Sequence, residues 1–153
     1  MRRVFLYLPD IDDTGRRPMT VQIAEMLREH GAHPTAQRIA LARILFARPQ
    51  HLSADDLLAQ ARVQGFKVSK ATVYNTLNLF VDCGLVREVN VDSSRVYYDP
   101  TMKPHHHIYN VDTGELTDIP YEAVQLAELP ELPDDTETTG IEVVVKVRRH
   151  QRA

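Results

Sequence analysis

Ser69-Lys70-Ala71-Thr72-Val73-Tyr74-Asn75-Thr76-Leu77-Asn78 continues to Cys83-Gly84, and Leu85-Val86-Arg87-Glu88-Val89-Asn90-Val91 follows at once. The first stretch sets Val73, Leu77 and Phe80 at helical spacing behind a serine, and Gly84 supplies a stop. The second alternates apolar and polar residues, turns at Asp92-Ser93-Ser94 and returns as Arg95-Val96-Tyr97-Tyr98, which is the pattern of a β-hairpin. A helix leading directly into a hairpin is the closing half of a winged helix-turn-helix.

Working upstream, three more helices are expected. Thr20 opens one with Val21, Ile23, Ala24 and Leu27 apolar, and Gly31 closes it. Thr35 caps a second with Ile39, Leu41, Ala42, Leu45 and Phe46 inward, stopped by Pro49. Ser53 begins a third with Asp55 and Asp56 in its first turn, where acids favour the helix dipole, and Gly65 ends it. Residues 1–18 hold no sustained periodicity and read as a flexible tail, with Met19 a second candidate translation start. The basic and apolar start, Met1 to Pro9, is too short for a signal-peptide core, so a cytoplasmic location is expected.

Downstream, Pro100 and Pro104 frame a hinge. Short strands are expected at His106–Ile108 and Glu115–Ile119 around an Asp112-Thr113-Gly114 turn, then a short helix over Tyr121–Leu129, then a strand over the β-branched run Ile141–Val147. The expected fold is α+β. A tail (1–18) precedes a winged-helix DNA-binding domain (19–99), a hinge (100–104) and a small α/β dimerisation and sensing domain (105–153), whose last strand needs a partner sheet.

Charge follows the same division. Residues 1–98 carry 13 Lys and Arg against 10 Asp and Glu, and residues 99–153 carry 5 against 11, so only the front half suits phosphates. The single cysteine, Cys83, excludes an internal disulfide and a Cys-based structural zinc site. No apolar run approaches the roughly 20 residues of a membrane span.

The major groove, about 12 Å wide, admits one helix whose first turns meet the base edges. Lys70, Thr72, Tyr74 and Asn75 give that helix a cation, a hydroxyl with a methyl, an aromatic plate and a bidentate amide, a set able to anchor phosphates and read bases. Arg95 and Arg87 on the wing, and Arg38 and Arg43 on the second helix, are further backbone candidates.

Behind the hinge stands Pro104-His105-His106-His107. On a strand, His105 and His107 share a face and can reach one ion, while His106 points away. Asp99 lies just upstream, Asp118 one strand later, and His51 at the mouth of the third helix. Three nitrogens and two carboxylates suit Fe(II), Mn(II) or Zn(II) rather than Cu(I).

These residues resemble the ferric uptake regulator (Fur) family over roughly Met26 to Val147. The resemblance is carried by Gly31-Ala32-His33-Pro34-Thr35-Ala36-Gln37-Arg38, His51-Leu52-Ser53-Ala54-Asp55-Asp56-Leu57, Ala71-Thr72-Val73-Tyr74-Asn75-Thr76-Leu77 with Gly84-Leu85-Val86, and the histidine triplet. It implies a homodimeric regulator, mostly a repressor, binding double-stranded operator DNA in iron, haem or peroxide control. It also implies regulatory metal ligands at His51, Asp99, His105, His107 and Asp118. An aspartate at 99, after Tyr98, is more like the peroxide-sensing branch. The family's paired-cysteine zinc motifs are missing here, His106 replaces an acid and Asn75 a frequent arginine. Those departures are most like the iron response regulator subgroup, which implies haem sensing through His105, His106 and His107, although Cys83-Gly84 is not that subgroup's Cys-Pro motif. Two rivals are a metal-independent winged-helix repressor and a metal-dependent hydrolase. Five candidate ligands leave little room for substrate and no HExxH helix is present, so an enzyme is not expected.

Overall fold

The computed structural model describes residues 19–150, which form two compact units meeting between Met102 and Lys103. The proposed tail 1–18 lies outside the described residues.

The first unit contains α1 (Met19–Glu29), α2 (Ala36–Leu45), α3 (Ala54–Val63) and α4 (Lys70–Asp82), followed by β1 (Arg87–Asp92) and β2 (Arg95–Asp99). Side chains start three of the helices. Thr35 accepts from the Arg38 N–H, Ser69 from the Thr72 N–H, and Ser53 and Asp56 exchange bonds in a capping box. At the end of α4, Gly84 adopts φ +69°, its N–H bonds the Val81 carbonyl and the Leu85 N–H bonds the Phe80 carbonyl. This left-handed closure favours glycine, and it folds Leu85 and Val86 into the core. The wing therefore starts at Arg87, two residues later than the alternation alone suggests.

Strands β1 and β2 pair antiparallel with a bulge between Asn90 and Asp92. An isolated bridge joins Leu52 to Tyr98, with backbone bonds in both directions (3.2 and 2.8 Å). The amphipathic faces of the helices meet in one core where Ile23, Leu27, Leu41, Leu45, Leu57, Val73, Leu77 and Phe80 are fully buried.

The second unit is a sheet of order β4-β3-β5. Strands β3 (His105–Asn110) and β4 (Leu116–Pro120) are antiparallel, and β5 (Val144–Val147) runs parallel on the other edge of β3. The Asn110 side-chain oxygen takes the Asp112 and Thr113 N–H groups at the β3–β4 turn.

Two expectations fail here. The helix over Tyr121–Leu129 is only a single 3-10 turn, Tyr121–Ala123. Leu126 and Leu129 are about half exposed, so no buried stripe rewards helix formation, and Pro130 follows. The strand over Ile141–Val147 shortens to Val144–Val147. Glu142 and Val143 instead spend hydrogen bonds on the side chains of β3, as described below. No helix among the described residues is long and apolar enough to cross a membrane.

Candidate metal centre and DNA-reading face

In the sheet unit, the pleat of β3 puts His105 and His107 on one face with ring centroids 4.6 Å apart. The register opposes His107 to Asp118. Asp118 Oδ1 lies 3.3 Å from His105 Nε2 and 3.5 Å from His107 Nε2. The other nitrogens are engaged: His105 Nδ1 bonds the Lys103 carbonyl at 2.7 Å and His107 Nδ1 bonds Glu142 Oε1 at 2.9 Å. Carbonyl and carboxylate oxygens accept only, so both Nδ1 atoms carry the proton. In the neutral rings both Nε2 lone pairs then face one carboxylate oxygen. Ligand atoms of His105, His107 and Asp118 lie within 4.8 Å of one another, and this donor chemistry fits a divalent cation.

His106 points away, as the alternation requires. It is 1% exposed, stacks on Tyr121 at 4.9 Å, and its Nδ1 accepts the Val143 N–H at 3.1 Å. In the neutral ring Nε2 then holds the proton, which leaves no free lone pair.

In the helical unit, the Leu52–Tyr98 bridge sets their neighbours His51 and Asp99 side by side, with His51 Nε2 3.4 Å from Asp99 Oδ2. Asp99 is 1% exposed; its Oδ1 accepts the Thr101 N–H at 2.8 Å, and Arg87 Nε lies 3.6 Å from Oδ2. Arg87 is thus turned to its cross-strand partner Asp99, where a buried carboxylate is compensated by its charge.

The exposed face of α4 carries most of the polar residues singled out in the sequence. Lys70, Tyr74 and Asn75 are exposed there, while Val73 and Leu77 face the core. Thr72 is partly covered, and its hydroxyl bonds Ser69 Oγ at 2.9 Å. Lys70 Nζ lies 3.0 Å from Asp55 Oδ1 and 5.9 Å from the centre of the Tyr74 ring. Hydrogen bonding to Asp55 and its charge raise the lysine pKa above the ordinary value. Both partners are exposed, so the pair itself is weak. Arg95 is exposed at the wing turn. In that turn Asp92 accepts from the Ser94 N–H and hydroxyl, which holds its carboxyl below the ordinary range. Arg38 directs Nη1 to the His33 carbonyl at 2.7 Å, bracing the α1–α2 connection.

Glu142 escaped the sequence reading. The signal was present, an acid inside the apolar run Ile141-Glu142-Val143, but nothing local says that it faces His107, 35 residues earlier.

The sequence profile of the ferric uptake regulator family matches residues 29–143. The chain belongs to that family. It is 33% identical over 106 residues to the peroxide-responsive repressor PerR of Staphylococcus aureus strain USA300, covering 69% of this chain and 70% of that protein. The ferric uptake regulator of Vibrio cholerae superposes with a TM-score of 0.66 at 21% identity, over 82% of this chain and 98% of that one. The manganese-containing ferric uptake regulator of Pseudomonas aeruginosa gives 0.63 at 27% identity, over 83% and 97%. The fold is therefore the one expected, an N-terminal winged-helix domain followed by a family-type dimerisation domain. Members of the family are transcription regulators, and the function of this one is metal-responsive transcriptional regulation.

Proposed function

We propose that the protein is a homodimeric, operator-binding repressor governed by one divalent ion, Fe(II) or Mn(II), with Zn(II) able to substitute in vitro. Its ligands are His51, Asp99, His105, His107 and Asp118, two from the helical unit and three from the sheet unit. Held by these residues, a divalent ion would supply the effector that couples metal availability to DNA binding. The observation that carries the reading is the convergence of two Nε2 atoms, each with its Nδ1 already engaged, on Asp118 Oδ1. The manganese in the Pseudomonas relative supports the choice of ion. Lys70, Thr72, Tyr74 and Asn75 meet the DNA major groove, and Arg38 and Arg95 the backbone. Two such helices must be spaced by about one DNA turn, roughly 34 Å, or a multiple. A cytoplasmic location goes with this reading.

The substitutions at His106 and Asn75 support kinship with the iron response regulator subgroup and a role in iron homeostasis, and the S. aureus relative supports peroxide response as the nearest variant. No observation favours haem, since His106 is packed and bonded in a way that suits structure rather than ligation.

Calorimetric titration with Mn(II) tests the site. His105→Ala/His107→Ala is expected to abolish binding and His106→Ala to preserve it. The reverse pattern would refute the ligand set.

A further inference from the structure

His107 lies between two carboxylates, one at each ring nitrogen. Asp118 Oδ1 lies 3.5 Å from Nε2 and Glu142 Oε1 lies 2.9 Å from Nδ1. Only the second distance is that of a good hydrogen bond. If the proton moved to Nε2, the lone pair would turn away from His105 and Asp118. The choice of tautomer therefore decides whether His107 presents a donor at that face.

Glu142 is well held for this task. The backbone beside it is fixed by two bonds to β3: the His107 N–H reaches the Val143 carbonyl at 3.0 Å, and the Val143 N–H reaches His106 Nδ1 at 3.1 Å. These bonds engage the backbone of Val143 just before β5 begins at Val144, so the carboxylate is delivered to the His107 ring by a sheet edge and not by a loose loop. The Glu142 side chain is about one-third exposed, while that of His107 is fully buried. Glu142 thus keeps access to water on one side and turns one carboxylate oxygen to the buried imidazole.

We infer that Glu142 is a positioning residue of the metal centre: it holds His107 as the Nδ1–H tautomer and fixes the ring so that Nε2 is delivered to the cation. This rests on the reading of His105, His107 and Asp118 as metal ligands. Carboxylates behind ligating histidines generally change metal affinity about 10- to 100-fold. His106 is the companion device. By gripping the Val143 N–H it keeps residue 142 in register, which gives the third histidine of the triplet a purpose without making it a ligand.

The test uses the full chain as wild type, Glu142→Ala, Glu142→Gln and His107→Ala. Mn(II) titration by calorimetry is paired with long-range 1H–15N spectra of the histidines in the metal-free protein. Glu142→Ala is expected to weaken Mn(II) binding about 10- to 100-fold and to shift the His107 proton from Nδ1 to Nε2. Glu142→Gln keeps an acceptor without its charge, so it is expected to lose several-fold and retain Nδ1–H. Should Glu142→Ala fail to fold, the glutamine variant carries the test, and wild-type affinity there would overturn the inference. Wild-type affinity in Glu142→Ala, with His107→Ala impaired, would overturn the inference alone. Wild-type affinity in His107→Ala would remove the metal reading itself, and the inference with it.

Discussion

The two units bury different things. The helical unit closes on a continuous apolar core from Ile23 to Tyr98, whereas the described apolar residues buried in the sheet unit are Tyr109 and Leu116, beside His105, His106 and His107. The first can hold its shape by hydrophobic burial, which is insensitive to ligand. The second places imidazoles where a core would sit, so hydrogen bonds carry more of its order. On the edge strand β5, Val145 and Val147 are over one-third accessible. Such a difference would suit a sensor, since an effector shifts an equilibrium only where the two states differ in affinity for it.

The largest effect should come from the apolar core. Phe80→Ala is expected to cost about 3–5 kcal/mol in urea unfolding, with no dependence on Mn(II). A loss that Mn(II) restores would blur the distinction between the units. Next is the ion itself. At a free Mn(II) concentration 100 times Kd, wild type should gain about 2.7 kcal/mol in thermal unfolding, and His107→Ala none of it.

The legibility of the two units differed in the same way. Helix starts were written in single residues, Thr35, Ser53 and Ser69, because a cap is a bond across three positions. The alternation of the triplet was also local, and so was readable. The failures were non-local. The sequence after Tyr121 suits a short helix, but Leu126 and Leu129 stay about half exposed with no apolar surface to receive them. Strand β5 lost its first residues because Glu142 and Val143 are engaged by histidines more than 30 positions away. Arg87 read as a wing cation, and only the β1–β2 register turns it to Asp99.

Smaller effects sharpen the reading face. Tyr74→Ala or Asn75→Ala is expected to weaken specific DNA binding by about 1–3 kcal/mol, leaving Mn(II) affinity untouched. Gel-shift titration on selected and scrambled duplexes checks this, and equal losses on both would make these backbone contacts. Arg95→Ala should lower affinity on every sequence and reduce the salt slope by about one unit, a change seen by repeating the titration across salt concentrations.

In the proposed mechanism the ion held at His105 and His107 changes the affinity of the winged-helix domain for DNA. Fluorescence anisotropy on a duplex selected by the protein from a random pool, with and without saturating Mn(II), tests it directly. Wild type is expected to change its DNA affinity by tenfold or more, which is about 1.4 kcal/mol of coupling. The His105→Ala/His107→Ala variant should bind the same duplex with one affinity under both conditions. An undiminished Mn(II) response in that variant, or none in wild type, would contradict the account.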